Sequence, residues 1–161
     1  MDKIYAPWRM DYIKGEKPEG CIFCKGSIRS DEDVLFEGKT AFVLMNRYPY
    51  TNAHLMIIPY RHVSEMEDLH TDERIEMIDL QIISLKVIRE AINPDGFNIG
   101  MNLGKAAGAG IDDHIHVHVV PRWNGDTNFM SVIGEVRVIP EDIHKTCENL
   151  KPYFQKYRRE V

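Results

Sequence analysis

At 161 residues, with 43% apolar and 28% charged residues, the chain is long enough for one domain with a sizeable core and has an ordinary globular composition. A formal net charge of −5 argues against general nucleic-acid binding, which needs a basic face, but not against small phosphate ligands held by backbone amides. No run of about 18 apolar residues offers a membrane span, the start Met1 to Trp8 lacks the apolar stretch of a secretory signal, and three cysteines do not make a disulfide framework, so a cytoplasmic protein is expected.

Residues 1–20 read as an irregular N-terminal arm, with Gly15 to Gly20 as loop. Its Trp8, Met10, Tyr12 and Ile13 are apolar surface that must cover either the chain's own core or a partner subunit. Cys21 and Cys24 follow at a spacing that suits both a metal knuckle and a redox pair. Val34 to Glu37 and Thr40 to Met45 read as strands joined at Gly38-Lys39, hence a hairpin. Asn46 to Asn52 is polar loop. His54 to Pro59 is a third strand, with His54 and Met56 on one face and Leu55 and Ile57 on the other.

Thr71 is the expected N-cap of a long helix running to Pro94, with Asp72 and Glu73 in its first turn. Its apolar residues, among them Ile75, Ile78, Leu80, Ile82, Ile83, Leu85 and Ile88, read as a core stripe; Glu73, Arg74, Asp79, Lys86, Arg89 and Glu90 read as a solvated face. Phe97 to Leu103 alternates as a fourth strand, with Asn98, Gly100 and Asn102 on one face. Gly104 to Gly110 is too rich in Gly and Ala to fill a core, but its backbone N–H groups can approach an anion closely. It lacks the Lys-Ser/Thr ending of a Walker loop.

The most informative stretch is His114-Ile-His-Val-His-Val-Val120. Three histidines alternate with branched apolar residues, the period of a strand. His114, His116 and His118 therefore share a face at roughly 6.5–7 Å spacing, and Ile115, Val117 and Val119 face the core. Pro121 is expected to end the strand, because proline cannot donate to a ladder. Arg122 to Phe129 is polar loop and Ser131 to Val138 a further extended piece. Pro140 opens a C-terminal helix as its first residue; Pro152 is expected to break or kink it. Cys147 reads as a core thiol, His70 and His144 as surface histidines.

His-φ-His-φ-His-φ-φ, with φ apolar, is the defining motif of the histidine triad (HIT) superfamily of nucleotide hydrolases and transferases, and residues 114–120 resemble it at every position. Asn46-Arg47-Tyr48-Pro49 followed by His54, the Gly-rich run and Cys21-Ile22-Phe23-Cys24 extend the resemblance over residues 20–130. Ala6 to Ile13 and Arg122 to Met130 look like the bacterial dinucleoside-polyphosphate branch, near the fragile-histidine-triad hydrolases and the diadenosine tetraphosphate phosphorylases. The implied fold is α+β: about five antiparallel strands, one long helix and a C-terminal helix, with an arm at 1–20, a HIT domain at 21–130 and a C-terminal extension at 131–161, assembled as a homodimer. His116 matches the family's nucleophile, which forms a covalent nucleotidyl-histidine. His118 matches the group that binds phosphate oxygens and assists the leaving group, and His114 the one that fixes the strand. Asn46 matches the ribose-binding position, Asn102 a phosphate contact, His54 an additional active-site histidine, and Gly108 and Gly110 belong to the phosphate cradle. Zinc-bearing relatives use two cysteines and two histidines, which here are Cys21, Cys24, His62 and His114. The implied substrate is a small nucleotide, with adenine as base and magnesium at most as its counter-ion, and no organic cofactor.

The chain departs from the pattern just before the triad. The hydrolases carry Gln and the phosphorylases Ser there, whereas Gly108-Ala109-Gly110-Ile111 has no polar side chain. Two rival readings remain: a hydrolase using the triad as zinc ligands, for which alternation on one strand is poor geometry, and a non-catalytic nucleotide-binding module, which would not require His116.

Overall fold

The computed structural model describes residues 20–24, 31–107, 114–127 and 138–158. Among them five strands form one antiparallel sheet: β1 (Val34–Glu37), β2 (Ala41–Met45), β3 (Leu55–Pro59), β4 (Gly96–Gly100) and β5 (Val117–Arg122), in the order β1-β2-β3-β5-β4. Two helices, α1 (Thr71–Ile92) and α2 (Ile143–Tyr157), accompany it. None of the described helices is long and apolar enough to cross a membrane. The α+β class with one long and one C-terminal helix is thus as the sequence implies.

The sheet is apolar on both faces, which is why β2 and β3 are buried at every position. On one face Val43, Leu55, Ile57, Val117 and Val119 pack with Met77, Leu80, Ile83, Val87 and Ile88 of α1 and with Cys147, Leu150 and Phe154 of α2. On the other, Phe42, Leu44, Met56 and Ile58 pack with Phe23. The alternation read for β3 holds, and the C-terminal helix belongs to the same core as the sheet. The β1–β2 turn is clamped from α1: the Glu76 carboxylate accepts from the backbone of Lys39, Thr40 and Ala41 and from the Thr40 hydroxyl. A Cβ on Gly38 would stand 2.5 Å from Glu76 Oε1, so this close approach requires glycine.

Several boundaries differ from expectation. The strand expected to carry the whole triad starts only at Val117, so His118 lies on it while His114 and His116 lie in the irregular segment before it, and Pro121 lies inside it rather than ending it. Pro121 C=O points to the β3 side, where Thr51 Oγ1 donates to it at 2.7 Å. Its missing N–H faces the same way, beyond the last β3 pairing of Leu55 with Val119, so no ladder bond is lost. β4 stops at Gly100 rather than Leu103, and Gly104 turns the chain with φ +74°. Helix α1 takes His70, not Thr71, as its N-cap; Glu73 reaches back to accept from His70 N at 2.7 Å and is buried against Arg61 rather than solvated. The helix ends at Asn93, whose left-handed φ of 45° turns the chain before Pro94. Ile75, Ile78 and Ile82 are not core: they are 58%, 54% and 47% exposed on a second apolar stripe. Helix α2 starts three residues after Pro140, capped by Asp142, and runs unbroken through Pro152, with Leu150 and Phe154 anchored in the core on either side. The expected arm and the extended piece at Ser131 to Val138 lie outside the described residues apart from Gly20 and Val138.

Candidate active site

The three triad histidines each use one ring nitrogen on a group that fixes the tautomer. His116 Nδ1 lies 2.9 Å from the carbonyl oxygen of His114. A carbonyl only accepts, so Nδ1 carries the proton and Nε2 is left with its lone pair. His114 Nε2 lies 2.9 Å from Pro59 O, so Nε2 carries the proton there and Nδ1 has the lone pair. For His118 the lock is one residue removed. Tyr50 N donates to His54 Nδ1 at 3.1 Å, which forces the proton of His54 onto Nε2. That Nε2–H donates to His118 Nδ1 at 2.9 Å, leaving His118 with its proton on Nε2. One ring therefore offers a lone pair and its neighbour an N–H, with the His116 and His118 centroids 4.7 Å apart and the rings nearly perpendicular.

Burial keeps these imidazoles neutral. His116 and His114 are fully or nearly fully buried, and desolvation lowers both below the ordinary histidine range. His118 is pushed down to about 4, first by burial and then by the neighbouring His116. Asn46 lies beside His54, with its Nδ2 3.3 Å from His54 Nδ1, while its Oδ1 accepts from Tyr48 N at 2.8 Å and shapes the loop as an Asx turn. Tyr50 lies over both His54 and His118, at 4.7 and 5.9 Å between centroids. His118 opens on a cleft of about 810 Å³ shared with Tyr50, Asn98, Asn102, Arg122 and Trp123. Arg122 braces its rim by donating to Asn98 Oδ1 at 2.6 Å and to both Asp126 oxygens.

On the other side of His114 the two cysteines and His62 converge. His114 Nδ1 is 3.1 Å from Cys21 Sγ and 3.9 Å from Cys24 Sγ, and His62 Nδ1 is 3.4 Å from Cys24 Sγ. All four donor atoms lie within 4.8 Å of one another. Tetrahedral zinc with Zn–S about 2.3 Å and Zn–N about 2.0–2.1 Å puts ligand atoms roughly 3.3–3.8 Å apart, so this set closes on such an ion with little movement. The backbone hydrogen bond from His114 Nε2 leaves Nδ1 as the metal-facing atom. Partial burial and then the adjacent Cys21 raise the Cys24 thiol above its ordinary range.

Residues 28–125 match the family model described as HIT domain. The chain belongs to the HIT domain family. It is 39% identical to the AP-4-A phosphorylase of Mycobacterium tuberculosis over 91% of this chain and 80% of that one. It is 29% identical to the bis(5'-adenosyl)-triphosphatase of Dictyostelium discoideum over 83% and 93%. Among solved structures it resembles a zinc-bound histidine triad family protein from Mycobacterium smegmatis, with 28% identity, TM-score 0.65, and coverage of 80% of this chain and 87% of that one.

Within this HIT domain the residues singled out by sequence fall into two adjoining groups. His118 and Asn102 line the cleft, with His116, His54 and Asn46 joined behind them through His118 and His54; Cys21, Cys24, His62 and His114 form the metal-type cluster. Gly108 and Gly110 lie outside the described residues. Sequence reasoning missed Tyr50, whose N–H sets the His54 tautomer, because the decisive atom is a backbone amide. It also missed Phe23, read only as a spacer between cysteines, although its ring meets His114 and His116 at 5.7 and 5.1 Å between centroids.

Proposed function

We propose that this chain cleaves dinucleoside polyphosphates such as diadenosine tetraphosphate, or related nucleoside monophosphate esters and amidates, through a covalent nucleotidyl-His116. The observation that carries this reading is the opposed tautomer pair: a lone pair on His116 Nε2 beside an N–H on His118 Nε2. His116 Nε2 attacks the α-phosphorus and forms the N–P bond as the P–O bond to the remaining polyphosphate breaks. The His118 N–H supports the departing oxygen. Water then attacks the phosphorus of nucleotidyl-His116, releasing the nucleoside monophosphate and restoring the imidazole. In this scheme Asn46 holds the ribose hydroxyls, Asn102 contacts phosphate, His54 orients His118, and Gly108 and Gly110 supply backbone amides. An adenine nucleotide fits the names of the relatives, a triphosphatase and a phosphorylase of adenosine dinucleotides.

Inorganic phosphate as the second acceptor is the other reading, favoured by the 39% identity to AP-4-A phosphorylase. Against it, the stretch before the triad lacks a hydroxyl at Gly110. One charge-assisted donor fewer costs about 1.5–3 kcal/mol, or roughly ten- to a hundredfold in acceptor affinity. Incubation with diadenosine tetraphosphate, with and without millimolar phosphate, separates the readings: AMP with ATP marks water, ADP with ATP marks phosphate. We expect mainly AMP, and a higher ADP fraction in Gly110→Ser. His116→Asn should lower turnover at least about a thousandfold while nucleotide binding survives. Near wild-type turnover in that variant would refute the covalent mechanism, and wild-type binding without any turnover would leave a non-catalytic nucleotide-binding module.

The cluster Cys21, Cys24, His62 and His114 is the proposed site of a structural zinc, supported by its donor geometry and by the zinc-bound relative. When bound, the ion would cross-link the cysteine loop, the exit of β3 and the triad segment, and would take no part in the phosphoryl chemistry. The resting assembly is a homodimer through the open edge of β4 and the exposed stripe of α1, in a cytoplasmic setting that keeps the thiols reduced.

A further inference from the structure

Phe23 sits between the two cysteines, yet its side chain belongs to the other group of residues. The turn is closed by Cys24 N donating to Cys21 O at 3.3 Å, and Phe23 is 2% exposed. Its ring stands edge-on to His114, 5.7 Å away at 88°, and meets His116 at 5.1 Å and 60°. The His116 ring is therefore bounded on one side by Phe23 and on another by His118, and it is tied at Nδ1 to His114 O. The terminal torsion of histidine is broad, so a hydrogen bond at one nitrogen leaves the ring free to rock. The two flanking rings remove that freedom. The loop carrying Phe23 is the same four-residue turn whose thiols reach His114 and His62.

We propose that Phe23 is a positioning residue that transmits the closure of the Cys21–Cys24–His62–His114 cluster to the ring of His116. The link to chemistry rests on the assignment of His116 as nucleophile; the mechanical link does not. A closed cluster presses Phe23 against His116 and holds the single tautomer with Nε2 deprotonated. An open cluster lets the turn relax, the ring rock, and the other tautomer appear. A merely structural Phe23, filling the space among Phe42, Leu44, Met56 and Ile58, would cost stability on truncation and leave His116 unchanged.

The test uses the full chain labelled with 15N-histidine, reading the tautomer of His116 at a fixed neutral pH from long-range proton–nitrogen spectra, beside the initial rate of nucleotidyl transfer. Phe23→Leu keeps an apolar side chain, somewhat smaller than Phe, and loses the flat ring; Phe23→Tyr keeps the ring, and the melting temperature of each variant shows whether it folds. We expect a mixture of His116 tautomers and a roughly ten- to hundredfold slower transfer in Phe23→Leu, with both restored in Phe23→Tyr. Stripping metal with a chelator should produce the same His116 change in wild type and no further change in Phe23→Leu, and added zinc should reverse it in wild type alone. A single unchanged tautomer in folded Phe23→Leu would overturn the positioning role. A chelator effect as large in Phe23→Leu as in wild type would overturn the coupling. Should wild type turn over no dinucleotide at all, the functional reading fails, while the spectra still decide the link.

Discussion

The chemistry of the triad is set by backbone atoms rather than by the histidines themselves. The carbonyls of His114 and Pro59 and the amide of Tyr50 choose which nitrogen of each ring holds a proton. Desolvation then keeps the rings neutral, and this has a consequence for stability. His118 has a folded-state pKa of about 4 against an ordinary 6.5, so between those values the unfolded chain binds a proton that the folded chain does not. Stability contributed this way is present above pH 6.5 and is lost as pH falls toward 4. His116 is shifted in the same direction by burial. Melting temperature should therefore fall steadily from pH 6.5 to 4, and His118→Asn should flatten that slope. An equal slope in the variant would show that other groups titrate there. Glu73 and Glu76 act in a lower window. For Glu73, the Arg61 ion pair lowers the carboxyl. For Glu76, burial pushes upward, but the hydrogen bonds from Thr40, Lys39 and Ala41 outweigh it, so both lose their contribution only below the ordinary carboxylate range.

Among the elements, the turn from Cys21 to Cys24, the exit of β3 and the segment before β5 meet without sharing a regular hydrogen-bonded ladder. Ile115 N donates to Val63 O at 2.7 Å, His114 Nε2 donates to Pro59 O at 2.9 Å, Phe23 packs on the rings of His114 and His116, and the Cys21–Cys24–His62–His114 cluster joins all three segments. Protein purified without added metal should carry about one zinc per chain, and a chelator should lower the melting temperature. Trace zinc with unchanged melting would remove the metal reading. The elements also mark what a sequence can disclose. The alternation of the triad was legible because a period of two has one physical meaning, and Ile115, Val117 and Val119 do line the core, although only His118 of the three histidines lies within β5. Pro121 misled because its effect depends on which side of the ladder its missing N–H faces, which register decides and local sequence does not. Pro152 misled because Leu150 and Phe154 anchor the helix on both sides of the lost bond. The Glu76 clamp and the Phe23 contacts join residues 35 to 93 positions apart, with no local signal.

For the whole molecule the open question is what covers its remaining apolar surface. A helix packed on one sheet should hide one stripe, and α1 does so with Met77, Leu80, Ile83, Val87 and Ile88. Yet Ile75, Ile78 and Ile82, spaced three and four residues apart, form a second stripe that is half exposed, which is why the sequence-level core assignment of these three failed. Among the described residues β4 is the outermost strand and carries an exposed Ile99, and the last turn of α1 reaches it, with Arg89 over the Phe97 ring at 5.1 Å. An exposed isoleucine row is costly to leave in water, and an edge strand is a ready template for a second chain. A symmetric pairing in which the two β4 edges meet and the two stripes cover each other would need to bury about 1,200–2,000 Å² to persist at micromolar concentration. We expect sedimentation to report a dimer for wild type. Ile78→Lys together with Ile82→Lys places two charges in that contact without touching the core, and should give a folded monomer. A wild-type protein that sediments as a monomer at tens of micromolar would rule this pairing out, and a variant that remains dimeric would move the interface elsewhere on the surface.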